Sequence, residues 1–260
     1  VPAPILRFAR LSEGGRTFFA LLEDRDESFR EALGDPFTGL HAQGPPRPCA
    51  GARWEVPLRP GKVIGVGRNY RAHAAELGHE VPKEPLLFLK PPSALLPHEG
   101  IIRLPPESAR VDHEGEIGVV VGRRLRRANE DEARAAILGV TCVNDVTARD
   151  LQKRDVQFTR AKGFDTFCPV GPCVATGLQP DTLAIATRVN GTLRQSGQAT
   201  DMIFPVARLL SYISGVMTLE PGDLVATGTP EGVSPLQPGD VVEVEIPGVG
   251  RLRNRVEAER

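Results

Sequence analysis

Chemistry in this chain concentrates in carboxylates set at strand spacing. In Asp112-His113-Glu114-Gly115-Glu116-Ile117-Gly118-Val119-Val120-Val121 the run after Glu116 is apolar and β-branched, the pattern of a buried strand. Alternate side chains on a strand share a face, so Glu114 and Glu116 stand side by side. Asp145 closes a second β-rich run, Val140-Thr141-Cys142-Val143-Asn144, and completes a candidate three-carboxylate cluster. Two unit charges ~4 Å apart repel by about 4 kcal/mol at an effective dielectric of ~20. Three such groups entering a core therefore need a cation or shared protons. An all-oxygen set selects a hard divalent ion, Mg²⁺ or Mn²⁺ with Ca²⁺ as a possible substitute, over Zn²⁺. A solvated strand edge paired with Arg123 and Arg124 explains the same residues, and spacing alone leaves both readings open.

Other groups suit proton and charge handling. His73 and Glu76 are spaced i, i+3, so on a helix they share a face, and a carboxylate there fixes the imidazole tautomer for acid–base work. Solvated pairs of this kind are also common. Lys162 lies in a lysine-poor chain before the apolar run Phe167-Cys168-Pro169-Val170, a setting that demands a charged partner. Asp165 is the nearest candidate and a bound anion the alternative. Ala226-Thr227-Gly228-Thr229-Pro230-Glu231-Gly232 reads as a strand end and tight turn whose N–H groups and hydroxyls could form an anion-binding nest. Gly65-Val66-Gly67 lacks the third glycine and the later acidic residue of a dinucleotide fingerprint. Its glycines are better read as sites of close backbone approach. No G-x-S-x-G nucleophile elbow is present.

The elements that must position these groups read as a β-rich α+β fold. Residues 5–11 and 17–22 flank the turn signal at 12–16 and predict a hairpin. Gly44-Pro45-Pro46-Arg47-Pro48 predicts a surface linker leading through Trp54 to Pro57 and Pro60. Residues 63–67 form a short buried strand, followed by a helix over 70–77 with Asn69 as its cap and Gly78 at its end. Further helices are expected over 131–138 and 204–214, and strands near 185–194, 223–227 and 240–246. Pro-Gly-Asp turns punctuate 221–223 and 238–240. The irregular order argues against a doubly wound sheet. A small N-terminal β-rich domain over 1–57 and a metal-dependent catalytic domain over 58–260 are the expected division.

Composition sets the context. A chain of 260 residues can bury a full core, and a net charge of −1 gives no electrostatic footprint for nucleic acid or membrane. No apolar run approaches the ~20 residues a bilayer crossing needs. The N-terminus lacks the pattern of a signal peptide. Cys49, Cys142, Cys168 and Cys173 lack CxxC spacing and fit buried thiols of a cytoplasmic protein.

Taken in order, Gly67-Arg68-Asn69-Tyr70-Arg71-Ala72-His73, Pro85-Leu86-Leu87-Phe88-Leu89-Lys90-Pro91, His113-Glu114-Gly115-Glu116, Asn144-Asp145-Val146-Thr147-Ala148-Arg149-Asp150, Lys162-Gly163-Phe164-Asp165 and Thr227-Gly228-Thr229-Pro230 resemble the fumarylacetoacetate hydrolase superfamily. The resemblance runs from residue 62 to about 250. It implies a multi-sheet β roll, a homodimer and a small-molecule 2-oxo acid substrate. It places Glu114, Glu116 and Asp145 as ligands of Mg²⁺ or Mn²⁺, and His73 and Glu76 as a dyad on a mobile lid helix; Gly67, Gly78 and Pro82 bracket residues 70–85 with hinge-like backbone suited to such a lid. Lys162 matches the catalytic lysine, and Arg149, Gln152 and Thr229 match positions that contact substrate or support the metal. The implied activity is isomerisation or decarboxylation of a 2-hydroxy-dienoic dicarboxylate, 2-hydroxyhepta-2,4-diene-1,7-dioate first. Acylpyruvate or fumarylpyruvate hydrolysis and oxaloacetate decarboxylation follow, with a 2-oxo acid binding module as the non-enzyme alternative.

Overall fold

The computed structural model describes residues 5–23, 27–76 and 80–259. Strands β1 (Arg7–Glu13) and β2 (Arg16–Glu23) form the expected hairpin, paired from Phe8 opposite Leu21 to Glu13 opposite Arg16. Its two-residue turn, Gly14-Gly15, has positive φ at both positions, the backbone that matches strand twist. β3 (Ser28–Asp35) and β4 (Gly39–Pro48) extend it. Here the expectation fails: residues 44–48 are not a linker but part of β4. β4 ends the sheet, where prolines that cannot donate to a ladder are tolerated, and the pairing carries a bulge between Phe29 and Glu31. β5 (Arg53–Glu55) returns against β1.

β6 (Val63–Gly67) leads into the short helix α1 (Arg71–Glu76), then β7 (Leu86–Lys90) pairs back along β6. Asn69 is not a helix cap. Its Nδ2 donates to the carbonyls of Thr227 (2.7 Å) and Phe204 (3.2 Å), and its Oδ1 accepts from Phe204 N–H at 2.9 Å. The predicted terminator Gly78 lies outside the described residues. β8 (Leu95–Leu96), β9 (Ile101–Leu104) and β10 (Val111–Asp112) are short connectors before β11 (Gly115–Val121), the anticipated buried strand. Ile117, Val119 and Val121 face one apolar cluster and Val120 another, so β11 is covered on both faces.

Helix α2 (Glu130–Ala135), closed by a capping box between Asn129 and Glu132, is shorter than expected. Its predicted last residues belong to β12 (Ile137–Asn144), because the ladder to β11 reaches back to Ile137. β13 (Thr147–Ala148) pairs with β10, and α3 (Arg149–Arg154) and α4 (Thr159–Lys162) lead to β14 (Cys168–Ala175). The strand expected near 185–194 is a hairpin: β15 (Ala184–Val189) turns at Asn190-Gly191, both with positive φ, into β16 (Thr192–Gln198). Helix α5 (Val206–Val216), β17 (Leu224–Ala226), β18 (Val241–Ile246) and β19 (Gly250–Ala258) complete the chain.

The main sheet runs β4-β3-β2-β1-β14-β12-β11-β17-β6-β7, with β5 and β8 attached to β1 and β14. The N-terminal strands thus continue the sheet that carries the carboxylates. A second sheet, β16-β15-β18-β19-β9, stacks its inner residues Ile185, Val244, Ile246 and Leu252 into the core shared with Ile117 and Val140.

Close approach explains Gly65. A Cβ there would sit 2.1 Å from Phe88 Cζ and 2.4 Å from its Cε2, on the ring face. Gly65→Ala is expected to cost about 1–3 kcal/mol by overpacking. Gly215→Ala, in α5 with no atom within 4 Å of the added carbon, is the control and is expected to be neutral or stabilising. Equal melting temperatures for the two variants would refute this account of Gly65.

Candidate active site

The junction of β11 and β12 assembles the carboxylates. Glu114 precedes β11 rather than lying in it, held by its N–H to Asn144 Oδ1 (2.9 Å) and by Asp145 N–H to its carbonyl (2.8 Å). These bonds extend the ladder in which Gly115 faces Asn144, and bring Asp145 beside Glu114. Each of Glu114, Glu116 and Asp145 offers an oxygen within 4.8 Å of the other two. Their exposures are 4 %, 2 % and 0 %, so the solvated-edge reading fails, and Arg124 pairs instead with Glu220.

Buried cations surround the cluster. Lys162 Nζ bridges Glu114 Oε2 (2.7 Å) and Asp145 Oδ2 (2.5 Å). Its partners are these carboxylates, not Asp165 or an anion. Arg149 donates to Glu114 Oε1 (2.5 Å), to Asp112 Oδ2 (2.9 Å) and to Gln152 Oε1 (2.7 Å). Lys90, at the end of β7, donates to Asp145 Oδ1 and to the Lys162 carbonyl, both at 2.6 Å. Burial opposes ionisation of Glu114, but Lys162 and Arg149 outweigh it and hold the carboxyl well below its usual range. Burial likewise opposes charge on Lys162, yet Asp145 and Glu114 raise its pKa, so the ammonium keeps its proton. Burial, then Asp145 and Glu114, push the Glu116 carboxyl well above its usual range, with the Gly228 N–H at 2.8 Å acting against them. In the turn expected to form an anion-binding nest, the Gly228 N–H is therefore taken by the chain's own Glu116.

The donor set fits a hard divalent cation. All three ligand groups are carboxylates, each oxygen retains lone pairs beyond its recorded bond, and Glu116 sits ionised only at a cost that a further cation would remove. Charge agrees. Asp112 is closed by Arg110 (2.9 and 3.1 Å), leaving Glu114, Glu116 and Asp145 against Lys90, Lys162 and Arg149. That cluster is formally neutral, so a divalent ion makes it dipositive, a match for a dianionic ligand.

The same cavity, of about 700 Å³, holds the predicted dyad. His73 Nδ1 lies 3.1 Å from Glu76 Oε2, while Glu76 Oε1 accepts from Gly232 N–H at 3.1 Å, tying α1 to the loop after β17. Glu114, Glu116, Asp145, Arg149, Gln152, Lys162 and Thr229 line it as well, so the residues expected to hold metal, transfer protons and contact substrate all fall here. Thr229 Oγ1 donates to the Gly115 carbonyl (2.8 Å) and accepts from Gln195 Nε2 (2.7 Å), which places it in support of the Glu116 strand. Burial pushes the Cys168 thiol, close to this cluster, up to about 12, so no thiolate nucleophile is at hand.

Two supporting residues were missed. Gln195 Oε1 accepts from Gly115 N–H (3.0 Å) and lies 3.1 Å from His113 Nδ1, while its Nε2 also reaches the Pro230 carbonyl (2.7 Å). Nothing in its polar surroundings on β16 signals this. Lys90 did carry a signal, a lysine closing the apolar strand Leu86-Leu87-Phe88-Leu89. Lys90→Met leaves Asp145 Oδ1 and the Lys162 carbonyl without this donor in the core, while Asp145 Oδ2 keeps Lys162. It is expected to cost about 3–5 kcal/mol in urea unfolding, and a loss below 1 kcal/mol would contradict this role.

Comparison with known proteins places this geometry. The family described as "Fumarylacetoacetate (FAA) hydrolase C-terminal" matches residues 62–257, and "Rv2993c-like, N-terminal" matches residues 6–57. Protein Rv2993c of Mycobacterium tuberculosis is 40% identical over 96% of this chain and 98% of its own length. Oxaloacetate tautomerase YisK of Bacillus subtilis is 42% identical over 77% of this chain and 71% of its own. The crystal structure of 2-hydroxyhepta-2,4-diene-1,7-dioate isomerase from Mycobacterium marinum superposes with a TM-score of 0.90 at 40% identity, covering 98% of this chain and 99% of that one.

Proposed function

Since the chain belongs to the fumarylacetoacetate hydrolase family, we propose that it is a divalent-metal-dependent isomerase/decarboxylase of 2-oxo (2-hydroxy-dienoic) dicarboxylic acids, with 2-hydroxyhepta-2,4-diene-1,7-dioate the preferred substrate. The observation that carries this reading is one cavity holding a buried three-carboxylate cluster beside a histidine–carboxylate dyad. A binding module needs the first and has no use for the second.

Glu114, Glu116 and Asp145 would hold Mg²⁺ or Mn²⁺. When bound, the ion supplies Lewis-acid stabilisation of the negative charge that a 2-oxo acid develops on its C2 oxygen. The protein's own groups do the rest. The Glu76 carboxylate accepts from His73 Nδ1–H, which leaves Nε2 as the ring atom that moves a proton. In a 1,3-shift His73 takes a proton from one carbon and returns it two carbons along; in decarboxylation it protonates the carbon that CO₂ leaves. Lys162, kept charged by Asp145 and Glu114, has spent two of its three N–H groups on them and offers the third to a substrate oxygen. Proton transfer is not its task.

The relatives named as an isomerase and a tautomerase favour the proton-shift reading, and oxaloacetate is the second substrate to try. Catalysis is assigned to residues 58–260, in a homodimer acting on a small molecule without nucleic acid or membrane partners. Among the described residues no helix is long and apolar enough to cross a membrane. The four cysteines are buried and unbridged, which suits a cytoplasmic setting. The test is a screen of the Mg²⁺- or Mn²⁺-loaded protein against dienedioates, acylpyruvates and oxaloacetate with products identified. Isomerised or decarboxylated dienedioate supports the proposal, and hydrolysis of acylpyruvates alone would replace it.

A further inference from the structure

Arg68 stands between β6 and α1 with φ +58, a left-handed conformation that a residue with a Cβ seldom adopts. Its neighbours impose it. Gly67 is held in the ladder opposite Leu86, and Asn69 is clamped by Thr227 and Phe204 while its carbonyl accepts from Ile203 N–H at 2.7 Å. Backbone outliers that the surroundings enforce concentrate at functional sites. This one delivers a half-buried guanidinium to the cavity wall.

Of the other strong charges of that wall, Lys153 is exposed to solvent and the following are already committed. Arg149 and Lys162 serve Glu114, Asp112 and Asp145, and Asp155 is closed by Arg160 at 2.8 and 2.5 Å. For Arg68, no hydrogen bond or ion pair is found among the described residues. Apolar side chains also line the cavity: Leu86 stands opposite Gly67, next to Arg68, the Phe88 ring lies 4.9 Å from Lys162 Nζ at the cluster, and Phe158 meets Phe88 edge to face at 5.8 Å. Val156, 92 % exposed, stands at the rim. A ligand spanning this space meets a cationic end, an apolar stretch and a second cation.

We infer that Arg68 is a specificity-determining residue that receives the distal carboxylate of the substrate, so that the site selects 2-oxo dicarboxylates over 2-oxo acids with an uncharged tail. The inference rests on the reading of the metal end given above. It is separable from it, because oxalate probes that end alone.

Calorimetric titration of the Mg²⁺-loaded protein with oxalate, 2-oxoadipate and 2-oxohexanoate tests it. The last two share a carbon count and differ in the distal carboxylate. Wild type should bind 2-oxoadipate about 10- to 100-fold more tightly than 2-oxohexanoate, the range of a charged hydrogen bond. Arg68→Met should bring the two within about 3-fold and leave oxalate unchanged. Arg68→Gly should do the same without loss of melting temperature, since glycine accepts the left-handed backbone. A preference that survives in both variants, no preference in wild type, or oxalate binding that falls alongside would each overturn the assignment. Failure of wild type to bind oxalate would instead remove the metal-end reading and this inference with it.

Discussion

Glu116→Gln is expected to lower divalent-metal affinity by more than about 100-fold, the upper end of what losing a mere outer partner costs a metal site, and turnover with it. The same variant should be more stable than wild type when both are metal-free. Glu116 lies among Glu114 and Asp145, and burial with these two raises its pKa well above the ordinary value. A carboxyl whose pKa is higher folded than unfolded binds its proton more tightly in the native state. Its contribution therefore favours folding fully below the unfolded value and is lost as pH rises through the folded one. Metal-free wild type should accordingly lose part of its stability as pH rises from about 4.5, and Glu116→Gln should lose less. Chelation should lower the melting temperature of loaded wild type at neutral pH and leave Glu116→Gln unmoved. Identical chelator responses in the two proteins would show that Glu116 holds no metal.

His73→Ala is expected to lower kcat by about 10²- to 10⁴-fold, the usual worth of a positioned acid–base group. Affinity for oxalate should change little, because the imidazole contacts Glu76 rather than a carboxylate of the cluster. Glu76→Gln should fall between wild type and His73→Ala, since an amide still bonds the ring but no longer stabilises its charged form. Wild-type turnover in His73→Ala would reduce the dyad to a structural pair tying α1 to the cavity wall. Reassignment to Lys162 is then a poor refuge, as Asp145 and Glu114 hold that side chain in its charged form.

What was legible in the sequence followed from local periodicity. Glu114 and Glu116 could be placed on one face because strand spacing has a period of two, and Asp145 because it closes a second β-rich run. The Asn190-Gly191 turn was equally local, and weighting it would have split the 185–194 strand into its hairpin. What escaped was set by distant pairing. Asn69 has the composition of a helix cap, yet its partners Phe204 and Thr227 lie 135 and 158 residues away. The prolines of β4 spell a linker unless one knows that the strand lies at the end of its sheet. Lys162 was recognised as needing a charge, but the nearer Asp165 is a neighbour in chain order only, while Glu114 and Asp145 arrive on separate strands.

The central claim is that the carboxylate cluster and the His73 dyad act together to move a proton next to a 2-oxo group. Deuterium incorporation at C3 of a 2-oxo dicarboxylate in D₂O, followed by proton NMR, reads that step whichever product is finally released. The account predicts exchange well above the rate of Mg²⁺ alone, abolished by chelator and reduced in His73→Ala. Exchange at the background rate by fully loaded protein, or exchange indifferent to chelator, would contradict it.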